Sequence, residues 1–154
     1  MTRELGAQRR AVVTGASSGI GLVCCRELLE QGWSIVGLDV AESPLCDETF
    51  EGTDRFKAVA CDVSSSAEID SAFRTIGEQG GLDALICCAG ILRGGPLVQM
   101  NEKDYDAVFD INAKGAWLAT RAARPLLAQA REGAARIVFF SSGAAQRPKI
   151  GARA

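Results

Sequence analysis

A chain of 154 residues, 47% of them apolar and 23% charged, has room for one domain, which at this size buries about 70% of its extended-chain surface. Its formal charge of −2, with no basic cluster beyond Arg9-Arg10, argues against nucleic acid or an anionic membrane as the main partner. No apolar run approaches the roughly 20 residues of a membrane span, and the polar start Met1-Thr2-Arg3-Glu4 lacks a signal peptide's apolar core, so the expected location is cytoplasmic.

Ala11-Val12-Val13 reads as a short buried strand, and Thr14-Gly15-Ala16-Ser17-Ser18-Gly19-Ile20-Gly21 follows it into an apolar-periodic segment that reads as a helix. Such a turn presents backbone N–H groups and the positive end of a helix dipole, which is an anion site, most often for phosphate. Gly15 suits positive φ in the turn, Gly19 lets backbone approach a pyrophosphate, and Gly21 lets the helix lie close on the strand. Ser17 and Ser18 add hydroxyl donors. The G-x-x-x-G-x-G spacing matches neither the G-x-G-x-x-G fingerprint nor a phosphate loop with Gly-Lys-Ser/Thr. A glycine turn without a ligand is therefore the competing reading of this stretch alone.

From Gly19 to Gln31 the spacing of Ile20, Val23, Cys24 and Leu28 predicts a helix, stopped by Gly32. Ser34-Ile35-Val36-Gly37-Leu38 is a second strand ending at Asp39, which completes a βαβ unit. Asp39 lies 24 positions after Gly15, near the ~20-residue offset at which an acidic side chain reaches an adenosine ribose. A carboxylate there accepts from ribose hydroxyls and repels a 2′-phosphate, favouring NAD over NADP.

Residues 40 to 54 carry five acids and no base and read as a solvated acidic loop. Phe56 to Cys61 is a third strand. Asp62-Val63-Ser64-Ser65-Ser66 offers several caps for a helix with Ile69, Ala72, Phe73 and Ile76 on its inner face. Asp62 is either such a cap or a partner of an adenine amino group. Gly80-Gly81 breaks that helix, and the continuous apolar run Ala84-Leu85-Ile86-Cys87-Cys88 predicts a strand covered on both faces. After Ala89-Gly90 comes a ten-residue loop with Gly94, Gly95 and Pro96.

A long helical region starts at the cap Asn101, with Asp104 at its third position, and runs to about Arg131, with Asn112 and Gly115 as irregularities and Pro125 as a kink or boundary. From Ala113 to Leu127 it is apolar on nearly every side, which points to a homo-oligomer formed through residues 101–131. Gly133 provides a stop, Ile137-Val138-Phe139-Phe140 is a fifth strand, and Ser141-Ser142-Gly143 opens a loop.

Cys24-Cys25 and Cys87-Cys88 are adjacent pairs, no C-x-x-C spacing occurs and histidine is absent. The cysteines therefore read as buried free thiols, and no metal site is expected.

Taken together, the glycine turn, Asp39, Asp62-Val63, Ala89-Gly90, Asn112 and Ser141-Ser142, in this order, resemble the short-chain dehydrogenase/reductase family across essentially the whole chain. The resemblance implies an α/β, Rossmann-type doubly wound parallel sheet of strand order 3-2-1-4-5, here lacking the last strands, as a single incomplete dinucleotide-binding domain over 1–154. It implies that Gly15, Ser17, Ser18, Ile20 and Gly21 cradle the pyrophosphate, Asp39 the ribose, and Asp62 and Val63 the adenine. Cys88, Ala89 and Gly90 would form another edge of the cofactor site, where Cys87-Cys88 replaces the family's usual Asn-Asn or Asn-Ala and a thiol donates more weakly than an amide.

The family's catalytic set is Asn, Ser, Tyr and Lys. Ser142 and Asn112 match it, but no Tyr-x-x-x-Lys is present and the only tyrosine, Tyr105, reads as a packing partner of Phe109. The chain looks like a family member that ends just before its acid/base, so the expectation is hydride transfer between nicotinamide and an alcohol, ketone or dihydrodiol by the family, with little turnover from these residues alone. The alternative is a catalytically silent dinucleotide-binding module. Leu82-Asp83-Ala84-Leu85, Ala89-Gly90-Ile91-Leu92-Arg93 and Pro148-Lys149-Ile150-Gly151 are similar to members that oxidise 2,3-dihydro-2,3-dihydroxybenzoate. In that case Arg93 would pair with a substrate carboxylate; otherwise it faces solvent.

Overall fold

In a computed structural model, which describes residues 8–40, 50, 53–93, 96–130 and 133–143, the five apolar runs form one sheet. Its strands are β1 (Arg10–Thr14), β2 (Ser34–Asp39), β3 (Phe56–Ala60), β4 (Ala84–Cys87) and β5 (Arg136–Phe139). All neighbours pair in parallel, in the order β3-β2-β1-β4-β5, with Val12 opposite Val36 on one side and Leu85 on the other. That is the order the sequence implied.

Because side chains alternate along a strand, each central strand feeds two cores. Ala11, Val13, Ile35, Ala84 and Ile86 meet Cys25 and Leu29 of helix α1 (Gly19–Glu30). Val12, Val36, Leu38, Leu85 and Cys87 meet helix α2 (Ser66–Glu78) and helix α4 (Ala116–Leu127) on the opposite face. With both faces covered, apolar side chains are needed at successive positions, which accounts for the unbroken runs in β1 and β4.

Polar side chains close the bottom of the sheet. The Arg10 guanidinium donates to the carbonyls of Ile76, in the last turn of α2, and Gly81, just past it, and Arg55 donates to the Leu29 carbonyl at the end of α1 at 2.7 Å. Cations at helix carboxyl ends satisfy leftover carbonyls and oppose the helix dipole. The Asp83 carboxylate accepts from the Arg10 amide at 2.8 Å and fixes where β4 starts beside β1.

The long helical region is three pieces. Helix α3 (Glu102–Phe109) is capped by Asn101, whose side-chain oxygen accepts from the Asp104 amide at 2.8 Å. A π-helical stretch, Asp110–Gly115, holds Asn112 and leads into α4. Helix α4 closes at Leu127, before the expected end at Arg131, which lies outside the described residues, and Pro125 stays inside its last turn. Nor is α4 apolar all round: Leu118, Ala119, Ala123, Leu126 and Leu127 are buried, while Trp117, Arg121 and Arg124 are exposed. Arg121 stacks over Trp117 and pairs with Asp70 of α2 at 2.9 Å.

The acidic connection is not solvated throughout. Phe50 is buried and its ring stacks on Phe56 with centroids 4.0 Å apart; residues 41–49 and 51–52 lie outside the described residues. No described helix is long and apolar enough to cross a membrane.

Candidate functional site

Chain order places the site. From β1 the chain moves outward through β2 to β3 and then returns to β4 on the other side of β1, so the connections leaving β1 and β4 diverge at their carboxyl ends and open a crevice. A cleft of about 350 Å³ occupies this position. Its lining includes Gly15, Ser18, Gly19, Ile20 and Gly21 from the glycine turn, Asp39 from the end of β2, Asp62 and Val63 after β3, and Cys88, Ala89 and Gly90 after β4. Four separate stretches picked from the sequence on different grounds meet here, and of the cofactor candidates only Ser17 does not reach the surface of the cleft.

Ser17 is buried behind the cleft and its amide donates to the Asp39 carboxylate at 3.0 Å. The amides of Gly15 and Ala16 are also used, both donating to the Leu38 carbonyl. The turn is thus pinned to the end of β2, and the donors left for a ligand are those opening α1. Gly15 holds φ at +68°, and a β-carbon there would stand 2.7 Å from the Ala89 nitrogen. On Gly21 a β-carbon would fall on the Gly15 carbonyl, so the close packing expected of Gly21 is against the turn itself.

Helices α1, α2 and α3, which start from extended backbone, differ at their amino ends. Helix α2 is capped by the Ser65 hydroxyl and has Glu68 in its first turn, and α3 is capped by Asn101 with Glu102 and Asp104. Helix α1 has neither: its Ser18 side chain makes no cap and its first turn holds no acid. The first N–H groups of a helix have no partner inside it, and those of α1 open on the cleft. An anion would supply both the missing acceptor and the missing negative charge.

Of the two readings of Asp62, the structure removes the cap. It does not cap α2; its carboxylate accepts from both the amide and the hydroxyl of Ser64 at 2.8 Å, in a local turn that leaves the residue on the cleft wall. Asn112 is tied to Ile91, which lines the cleft. Its side-chain oxygen accepts from the Ile91 amide at 2.8 Å and its nitrogen donates to the Ile91 carbonyl at 2.9 Å, so both ends of one amide hold the segment that leaves Gly90. Ser142 is exposed just beyond β5. Arg93 forms an ion pair with Asp104 at 3.5 Å, and the Pro148–Gly151 stretch lies outside the described residues, as do Gly94 and Gly95.

Sequence reasoning missed Thr14, Leu38, Cys61, Ile91 and Ile111. The Thr14 hydroxyl accepts from the Ala89 amide at 3.2 Å and its carbonyl from the Cys88 amide, holding the β4 wall against the turn. Cys61, Ile91 and Ile111 line the cleft with Leu38 and Val40; each carries an apolar side chain that looks like core until the strand ends are seen to converge. Burial, with the nearby Glu68 and Asp62 carboxylates, pushes the Cys61 thiol up to about 11. Among the described residues no cluster of side chains suits a metal ion, and Cys24, Cys25, Cys61, Cys87 and Cys88 are free thiols; Cys46 lies outside the described residues.

Comparison with known proteins agrees with this geometry. A family model described as short chain dehydrogenase matches residues 9–154. Oxidoreductase UcpA of Salmonella typhimurium is 36% identical over 137 residues, covering 87% of this chain and 51% of its own length. The 3-oxoacyl-[acyl-carrier-protein] reductase FabG of Staphylococcus aureus is 33% identical over 140 residues, covering 87% and 56%. Among solved structures, the ligand-free aldohexose dehydrogenase of Thermoplasma acidophilum superposes with a TM-score of 0.82 at 25% identity, over 94% of this chain and 53% of that one. The chain spans about half the length of the curated relatives it matches.

Proposed function

The chain belongs to the short chain dehydrogenase family, and from that membership, which implies a nicotinamide cofactor, we propose that it is the NAD-holding part of an oxidoreductase. Its substrate class is an alcohol, ketone or dihydrodiol. The observation that carries the reading is the uncapped, acid-free start of α1 opening on a cleft that Asp39 also lines.

When bound, the nicotinamide supplies the hydride acceptor or donor. This chain's own residues bind and orient. The amides opening α1, with the Ser18 hydroxyl, hold the pyrophosphate. Asp39 accepts from the ribose hydroxyls and repels a 2′-phosphate, which favours NAD over NADP. Asp62 and Val63 meet the adenine, and Cys88, Ala89 and Gly90 bound the cleft on the β4 side. Asn112 orients the backbone at Ile91, and Ser142 holds the substrate oxygen. Since these 154 residues contain no Tyr-x-x-x-Lys, they hold no matched acid/base, and turnover by them alone is low. Association of copies through residues 101–131 belongs to the proposal too, supported by exposed Tyr105, Phe109 and Trp117 on that stretch.

Titration calorimetry with NADH and NADPH tests the cofactor assignment. NADH binds the tighter, and Asp39→Ala brings the two affinities together. Tighter binding of NADPH by the unaltered protein overturns the assignment of NAD, and binding of neither overturns the site.

A further inference from the structure

Gly115 closes the π-helical stretch, yet its backbone does not call for glycine. Its φ of −59° and ψ of −45° are ordinary helical values, and only proline forms a helix less readily than glycine. What the position lacks is room. A β-carbon there would stand 2.8 Å from Cγ2 of Val63, 3.1 Å from its Cβ and 3.3 Å from its carbonyl oxygen, the first two well inside the roughly 3.5–4.0 Å at which carbon atoms pack. Gly115 and Val63 are both buried, and Val63 lines the cleft beside Asp62.

Val63 has little freedom to yield. A β-branched side chain is stiff at χ1, and the backbone leading to it is fastened at several points. The Cys61 amide donates to the Asp39 carbonyl at 2.8 Å, the Asp62 amide donates to the Glu68 carboxylate of α2 at 2.8 Å, and the Asp62 carbonyl accepts from the Ser65 amide at 3.0 Å. An added methyl group therefore pushes the Asp62–Val63 segment and the π-helical stretch apart instead of turning one side chain aside. The same stretch bears on the cleft twice more, through Ile111, which lines it, and Asn112, which holds Ile91.

We propose that Gly115 is a positioning residue for the dinucleotide: seated on Val63, it sets how far the Asp62–Val63 wall stands from the π-helical stretch, and so the width of the cleft where the adenosine rests. Gly115 does not itself line the cleft and acts through Val63. The consequence for binding rests on the reading of the cleft proposed above, whereas the contact between positions 63 and 115 does not. π-Helical turns are frequent at functional sites, and here part of that role falls on a residue without a side chain.

Gly115→Ala, Val63→Ala and the double variant are compared with the unaltered protein by NADH fluorescence titration, by displacement of NADH with AMP and with inorganic pyrophosphate, and by urea melts. Gly115→Ala is expected to bind NADH and AMP about tenfold more weakly, the scale of one overpacked contact. Its affinity for pyrophosphate, which needs only the start of α1, stays as it was. Because Val63→Ala removes Cγ2, the double variant binds NADH no more weakly than Val63→Ala alone, and its urea midpoint is no lower. Unchanged NADH binding by Gly115→Ala overturns the proposal, as do losses that multiply in the double variant. Equal losses of AMP and pyrophosphate also overturn it, since they mean a general disturbance of the fold. If Gly115→Ala does not fold by itself, the double variant decides: recovery to the level of Val63→Ala supports the contact, and failure to fold overturns it. Failure of the unaltered protein to bind NADH defeats the assigned function and the positioning with it, while the coupling of positions 63 and 115 in the urea melts stands as a separate result.

Discussion

A methyl group at position 15 would be trapped between backbones. It would stand 2.7 Å from the Ala89 nitrogen and 2.8 Å from its α-carbon, on a residue whose φ is +68°. Neither neighbour is a side chain that swings aside, so Gly15→Ala is expected to cost about 2–5 kcal/mol, the sum of left-handed strain and overpacking. Gly19 has φ of +50° but nothing within 4 Å of an added β-carbon. Gly19→Ala should cost stability by about 1–2 kcal/mol, while placing a methyl group on the cleft and lowering NADH affinity about tenfold, or about 1.4 kcal/mol. Urea melts and calorimetry on the two variants check this. Equal destabilisation, or normal NADH binding by Gly19→Ala, contradicts the division of labour between a glycine needed by the turn and one needed by the ligand.

At the level of elements, the break in the long helix matters more than its length. A π-helical stretch shifts the register of the side chains that follow, and here it aims Asn112 at Ile91, where both ends of the amide are bonded. Asn112→Ala removes both bonds, at about 1 kcal/mol each or less given their exposure, and frees the backbone beyond Gly90. The expected readout is faster amide exchange at Ile91 and weaker NADH binding without loss of the fold. Asn112→Asp keeps the acceptor for the Ile91 amide and loses the donor, so it should protect that amide and leave the carbonyl unpaired. If Ile91 exchange is unchanged in Asn112→Ala, the clamp is not what orders this wall.

The sequence made Asn112 visible only as an unfavourable residue in a helical pattern; the bonds to Ile91 depend on two segments 21 residues apart meeting. The strands were legible because runs covered on both faces need no decoding. Asp39 was legible because it ends one of them. Arg10 and Arg55 were not, since nothing local distinguishes a helix-capping arginine from a solvated one. The apolar count over Ala113–Leu127 misled for a related reason: Arg121 and Arg124 take the outer face, and the alanines fill the inner one without needing a partner.

For the whole molecule, the two cores and the two margins of the sheet set how the chain responds to its surroundings. Strand β5 has a described neighbour on one side only, and Ile137, Val138, Phe139 and Phe140 are all exposed there. Such an edge pairs readily with another chain, so these 154 residues expressed alone should sediment as concentration-dependent assemblies, and a monodisperse monomer would count against it.

The cores respond to alkali. Burial pushes Cys25 up to about 12 and Cys61 and Cys87 up to about 11, from an ordinary 9.0. Below pH 9 these thiols are protonated whether the chain is folded or not, and their full contribution to stability is present. Between pH 9 and about 11 the unfolded chain releases protons that the folded chain keeps, so stability falls as pH rises, by up to about 1.4 kcal/mol per pH unit for each thiol. Urea midpoints measured at pH 7.5, 9 and 10.5 under reducing conditions should be level over the first interval and drop over the second. Cys25→Ala and Cys87→Ala lower the midpoint at pH 7.5 through the cavities they leave, yet each should flatten the alkaline decline. A variant that shifts all three midpoints equally would mean that its thiol ionises in the folded chain as readily as in water, and that the core around it is open.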